Sequence, residues 1–202
     1  MIADIKHLFE TKYGAYQCSL KESSHDFIND EYATSLPNEA YNYDCILKHV
    51  VFKNGSTSCS QDAILFDKDT IFFIEFKNAI LEQKISSTDR GMLKKYKLKF
   101  NDDIKKKLLL KGVEGLYIFQ QILAENNLSL QGVKVKYILC YNKDKNFTKE
   151  EGKEVDQIFQ NLRLLSESRN VGFGLLRLEN SFYYDEVKTL GREEFERYIK
   201  AL

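Results

Sequence analysis

The stretch Ser60–Asn78, SQDAILFDKDTIFFIEFKN, decides how the rest of the chain is read. Two apolar runs, Ala63-Ile64-Leu65-Phe66 and Ile71-Phe72-Phe73-Ile74, flank the polar turn Asp67-Lys68-Asp69-Thr70. Short runs rich in β-branched and aromatic residues around turn formers predict a β-hairpin. Three charges interrupt the apolar pattern: Asp62 on the first strand, Glu75 and Lys77 on the second. A charge on so apolar a strand is costly to bury unless it is paired or bound to a metal.

Register sharpens their placement. Glu75 and Lys77 are two apart and share a face. A two-residue loop at Lys68-Asp69 pairs Asp67 with Thr70, and counting outward sets Asp62 opposite Glu75. A four-residue loop gives the same pairing, whereas a three-residue loop puts Asp62 opposite Ile74 and splits the acids between faces. Opposed carboxylates repel, so the pairing asks for a cation between them. Two carboxylates in an oxygen-only site suit Mg²⁺ or Mn²⁺, with waters completing the shell. Lys77 beside them is placed to hold or deprotonate a water, or to neutralise charge developing on a phosphate.

Asp62, twelve intervening residues, then Glu75-Phe76-Lys77 on successive strands resembles the PD-(D/E)xK nuclease superfamily. The resemblance implies a restriction-endonuclease-like fold and a Mg²⁺-dependent endonuclease that hydrolyses phosphodiester bonds in DNA or RNA. It implies that Asp62, Glu75 and the Phe76 carbonyl bind the metal, and that Lys77 activates water and stabilises the transition state. A helix ahead of the sheet often supplies a further acid in that fold; Glu10 is the candidate, with Glu22, Glu31, Glu39 and Asp44 as rivals. Gln61 stands where the motif has its proline, and the Gln-x-x-x-Tyr of one branch of the family does not follow. Solvation or cross-strand pairing of the same charges is the ordinary reading of such a pattern; a catalytically silent nuclease-fold module that binds or assembles is a separate alternative.

Composition sets outer bounds. The 202 residues, 43% hydrophobic and 30% charged, suit one soluble domain over 1–202. The start, MIADIKHLFETKYG, lacks the apolar core of a signal peptide, and no run is long enough to span a membrane. Cys18, Cys45, Cys59 and Cys140 are scattered without zinc or disulfide spacing. The expectation is a reduced, cytoplasmic protein without membrane contact. Net charge is zero but unevenly spread: residues 1–45 sum to −5 and residues 84–111 to +7. That basic stretch is the candidate nucleic-acid surface, with Arg90, Lys94 and Lys97 as phosphate contacts. Twelve Tyr and fourteen Phe leave enough aromatic surface for a homodimer.

Along the chain, Ile2, Ile5, Leu8 and Phe9 predict a helix to about Tyr13, ended by Gly14. A short helix capped by Ser23 or Ser24 is expected to carry Phe27, Ile28 and Tyr32, with Pro37 marking entry to the sheet. Cys45–Phe52 reads as the first strand of a three-strand meander completed by the hairpin. Met92, Tyr96 and Phe100 predict a basic helix, Asn101-Asp102-Asp103 a break, and then helical segments at 104–110 and 116–124 around Gly112 and Gly115. Val133–Tyr141 reads as a fourth strand reached by crossover, and a helix follows from Thr148. Val171–Leu178 reads as a fifth strand, with Phe182–Tyr184 as its candidate partner, before a helix from Gly191. The order helix, three-strand meander, helices, strand describes an α/β protein with a mixed central sheet flanked by helices.

Overall fold

Spacing of Ile5, Leu8, Phe9 and Tyr13 buries one face of the opening helix, α1 (Ile2–Tyr13). The computed structural model describes residues 1–48, 60–78, 82–86, 96–100, 102–143, 173, 175–181 and 183–202. After α1 come β1 (Gln17–Ser19), α2 (Leu20–Ser23), β2 (His25–Asp26), β3 (Glu31–Tyr32), β4 (Glu39–Asn42) and α3 (Tyr43–Ile46). The hairpin forms β5 (Ala63–Asp67) and β6 (Thr70–Lys77), followed by β7 (Glu82–Ser86) and β8 (Tyr96–Phe100). Then come α4 (Asp102–Glu125), β9 (Lys134–Tyr141), α5 (Leu176–Asn180), β10 (Glu186–Gly191) and α6 (Arg192–Lys200).

The result is an α/β fold built on a six-strand mixed sheet in the order β1-β4-β5-β6-β9-β10. Its first half is antiparallel; β6, β9 and β10 run parallel. Helix α4 lies within the crossover from β6 to β9 that parallel pairing requires. Alternation along β6 divides the core. Ile71 and Phe73 face α1 and α4, where Phe73 meets Phe119 edge-on at 5.1 Å between ring centres. Phe72, Ile74 and Phe76 face α6, where Phe76 meets Phe195 at 5.6 Å. A strand covered on both sides explains the near-continuous apolar run.

Several expectations are corrected. The meander's first strand is Glu39–Asn42, not Cys45–Phe52. Asn42 accepts the Cys45 amide at 2.9 Å and caps a short helix in which Tyr43 and Ile46, three apart, both turn inward. Residues 49–59 lie outside the described part. The helix expected on Phe27 and Tyr32 is a two-stranded hairpin, β2–β3, with Asp30 in the left-handed region at φ 52°. The cap falls earlier, where Ser19 and Glu22 bond each other's backbone amides around α2.

Tyr96–Phe100 is a strand rather than the end of a basic helix, and pairs with β7 so that Lys97 lies across from Ile85. Tyr-Lys-Leu-Lys-Phe alternates with period two, a pattern that competes with the four-residue spacing and prevails here. Arg90 and Lys94, like the helix expected from Thr148, lie outside the described residues. The predicted fifth strand at Val171–Leu178 is replaced in part by helix α5. Strand β10 comes later, and Tyr184 is a buried side chain rather than a strand partner.

Nor do Gly112 and Gly115 break a helix: α4 is continuous across both. They allow close approach instead. The Gly115 carbonyl accepts the Tyr43 hydroxyl at 2.7 Å and the Gly112 carbonyl accepts the Tyr184 hydroxyl at 2.7 Å. A Cβ at Gly115 would collide with Gln61 Oε1, and Gln61 is fully buried. Gly115→Ala therefore trades a helix-propensity gain of about 1 kcal/mol against an overpacking cost of about 1–3 kcal/mol. Chemical denaturation should show net destabilisation. Gly14 lies in the right-handed region, with nothing within 4 Å of where a Cβ would stand. Its change to Ala should have the opposite sign, about 0.4–1 kcal/mol of stabilisation.

Candidate active site

Glu75 follows Ile71 and Phe73 on the same face of β6, which carries its side chain into the apolar layer beneath α4. It is fully buried, at 0% exposure. The hairpin has the two-residue loop, with Asp67 paired to Thr70 and Ala63 to Ile74. Beyond that pair the strand departs from simple counting. The Asp62 amide also donates to the Ile74 carbonyl, at 3.0 Å, so Asp62 and Ala63 together face one residue as in a β-bulge. The bulge re-aims the Asp62 carboxylate along the strand end, where Oδ2 accepts the Phe76 amide at 2.7 Å. A strand residue's amide and carbonyl leave on the same side, so the Phe76 carbonyl also faces the Asp62 edge.

Between the two acids stands a lysine that motif reading did not single out. Lys111 Nζ lies 2.9 Å from both Glu75 oxygens and 3.5 Å from Asp62 Oδ1. Lys77 Nζ contacts Glu75 Oε1 at 2.5 Å. The expected pairing of Asp62 opposite Glu75 is replaced by the bulge at Ile74, yet the two acids still come close enough to share a cation, and the chain itself supplies it. Burial, and after it the Asp62 charge, push the Glu75 carboxyl above its ordinary value, while Lys77 and Lys111 pull it back. For Lys111, burial works against the ammonium, but the Asp62 and Glu75 carboxylates outweigh it and hold the group well above the usual lysine range.

The helix that brings Lys111 is pinned at that point. Gln61 Nε2 donates to the Lys111 carbonyl at 2.7 Å and contacts the Tyr184 hydroxyl at 3.2 Å. So the position where the motif has proline carries a side chain that locks α4 to the strand. The signal for Lys111 was present in the sequence: Leu108, Lys111, Gly115 and Phe119 recur at three- and four-residue steps. A lysine inside an apolar helical stripe implies a buried acid partner. Tyr137, on β9, is also buried here, and its hydroxyl has no hydrogen-bond partner among the described residues. Burial, then the Glu75 charge, push its pKa well up.

Asp62, Phe76, Lys77 and Asn78 open onto a cleft of about 260 Å³, closed on the far side by residues Ser23–Asp26 and Ala33. Asn78 fixes that wall by donating to Asp26 at 3.3 Å and to Glu31, and Asn142 donates to Asn78 at 2.8 Å. Phe27 and Ile28, at the hairpin tip, are 86% and 93% exposed. A larger hollow of about 380 Å³, between Tyr117 on α4 and Tyr183 beyond α5, is lined by neither acid.

The structure brings together Asp62, Glu75, Phe76 and Lys77, and adds Lys111. It does not bring in Glu10, whose ion pair is with His7 at 4.0 Å on the surface of α1. Among the rivals, Glu22 caps α2, Glu31 holds Asn78, Gln17 bonds Glu39, and Asp44 pairs with Lys48 and Ser60. Among the described residues no three His, Cys, Asp or Glu side chains converge on one point. Two carboxylates and a carbonyl are nevertheless hard oxygen donors of the kind Mg²⁺ and Mn²⁺ accept, with water or phosphate oxygens for the remainder. No helix among the described residues is long and apolar enough to cross a membrane. Compared with protein-family models, curated proteins and solved structures, the chain matches none.

Removing one partner from a buried ion pair leaves an uncompensated charge, at a cost of about 3–5 kcal/mol. Lys111→Ala should therefore destabilise strongly in urea unfolding. Lys77→Ala, at the cleft mouth with Lys111 still on both Glu75 oxygens, should cost about 1 kcal/mol. Equal losses would show that the two lysines share the Glu75 charge evenly.

Proposed function

We propose that this chain is a metal-dependent nuclease acting on DNA or RNA, with Asp62, Glu75 and Lys77 as its reacting set. The observation that carries the reading is Glu75. An acid buried at the end of a strand covered on both faces costs stability, and Asp62, Lys77 and the Phe76 backbone meet it at the mouth of a cleft. The antiparallel β4–β5–β6 run, helix α4 and parallel β9 are the order expected of a restriction-endonuclease-like core and support the resemblance.

In this reading Asp62, Glu75 and the Phe76 carbonyl would hold Mg²⁺ or Mn²⁺, which when bound polarises the phosphate and acidifies a water. Lys77, exposed to the cleft beside Glu75, orients the water and offsets charge on the phosphorane-like transition state. The basic stretch 84–111 carries part of the phosphate attraction, with Arg90, Lys94 and Lys97 as its proposed contacts. A homodimer and a cytoplasmic setting belong to the same proposal.

A second reading has one observation in its favour. Lys111 already neutralises both acids, so the four side chains form a complete ion-pair cluster that needs no metal. A nuclease-fold module that binds without cleaving would keep such a cluster as scaffold.

The two readings separate on plasmid, single-stranded DNA and structured RNA incubated with Mg²⁺, Mn²⁺ or EDTA. The nuclease reading expects metal-dependent cleavage that falls about 100-fold or more in Asp62→Ala and Lys77→Ala. Mn²⁺ should also raise the melting temperature of the wild type. Cleavage that survives intact in purified Asp62→Ala removes the assignment. Absence of both cleavage and Mn²⁺ stabilisation selects the scaffold.

A further inference from the structure

We propose that Lys111 is the site's built-in counter-ion, which a divalent cation must displace before the site can act. The inference rests on the metal-site reading above and describes how that site is regulated. Its basis is where the ammonium stands: 2.9 Å from each Glu75 oxygen and 3.5 Å from Asp62 Oδ1, bridging the two acids. Mg²⁺ takes carboxylate oxygens at about 2.0–2.1 Å, so an ion held by both acids needs the space that Nζ fills. Ammonium and metal exclude each other sterically as well as by charge.

The placement is built rather than incidental. Gln61 bonds the Lys111 carbonyl, and Tyr184 and Tyr43 bond the carbonyls of Gly112 and Gly115. Three side chains from three other segments thus fix the helix backbone at the point from which Lys111 reaches the acids. The side chain beyond that anchor is a flexible four-carbon stem and can swing while the backbone stays.

Charge counting gives the exchange a direction. Asp62 and Glu75 with Lys77 and Lys111 form a neutral cluster. A divalent ion that entered with both lysines in place would leave two net positive charges against a buried strand. If Lys111 swings out, one remains, and a single phosphodiester anion brings the site back to neutral. Metal and nucleic acid then favour each other's binding.

Two experiments without substrate test the exchange. The first is isothermal titration of Mn²⁺ into wild type and Lys111→Met. The variant should bind Mn²⁺ about tenfold or more tightly, because no internal cation has to leave. Its melting temperature should be lower without metal and should rise further on Mn²⁺ addition. The second uses the wild type alone, so it survives a variant that fails to fold: reductive methylation read by peptide mass spectrometry. Lys111 should be protected without metal and labelled once Mn²⁺ is added, with Lys134, paired to Asp69 at the surface, as an unchanging control. Mn²⁺ binding that is equally tight in a folded Lys111→Met, or Lys111 protection unaffected by Mn²⁺, overturns the exchange but leaves the metal site standing. No Mn²⁺ binding by either protein overturns both.

Discussion

A carboxylate buried in an apolar strand is the constraint on which the rest of this architecture depends. Glu75 sits where β6 is covered on both faces, and its charge cannot stay there unaccompanied. Two ammonium groups accompany it, one from its own strand and one from a helix that starts 27 residues later. That pairing fixes more than a local bond. For Lys111 to reach the acid, α4 must pack close against the strand end, and the residues at its contact are the small ones that permit it. Gly115 leaves room for Gln61, and the exposed helix carbonyls there accept the hydroxyls of Tyr43 and Tyr184. Each of those hydroxyls lies in the core and would itself be costly without a partner. Ion pair, glycines and tyrosines form one mutually dependent unit.

What could be read from the sequence followed the strength of local patterns. The hairpin was legible because three signals agreed: β-branched and aromatic runs, a turn-forming centre, and the two-residue step that puts Glu75 and Lys77 on one face. Turn geometry then set the register, and Lys68 at φ 47° shows the backbone a tight two-residue loop requires. Patterns that satisfied two periods at once were not legible. Tyr96, Leu98 and Phe100 alternate, while Met92, Tyr96 and Phe100 step by four, and only the pairing partner in β7 decides between them. Tyr43-Asp-Cys-Ile has the same ambiguity, and there the deciding group is the Asn42 side chain acting as a cap. Val171–Leu178 is apolar without a period, which leaves helix and strand equally compatible.

The site shows a different limit. Glu75 and Lys77 are related by strand geometry alone, and Asp62 joins them through a bulge just past the hairpin ladder. Lys111 is related to them only through the packing of α4, and treating Gly112 and Gly115 as helix ends cut the stripe to which it belongs. A glycine inside a helix lowers helical propensity whether it ends the element or admits a neighbour. Sequence cannot separate those uses until the neighbour, here Gln61, is known. The same blindness affected Gln61 itself. Measured against a proline motif it is only a substitution, whereas in the fold it is the strap between strand and helix.

The cluster is divided by exposure, and the division has chemical meaning. Asp62 and Lys77 line the cleft, so they are the charged members of the cluster that open to it. Glu75 lies wholly behind them, so its field is felt in a low-dielectric setting where charge interactions are strong. Under the nuclease proposal the buried acid would be held without reorganisation, leaving the exposed pair to meet a ligand. With Lys111 on both Glu75 oxygens, Lys77 is the less buried of the two lysines around the acid and reaches it at Oε1. The bulge is the sharper case. A straight ladder would have continued past Ala63, yet the strand takes up an extra residue and turns the Asp62 carboxylate onto the Phe76 amide. That local departure brings an acid, a strand-end carbonyl and a lysine to one opening, an arrangement that core packing does not require and on which the nuclease proposal rests.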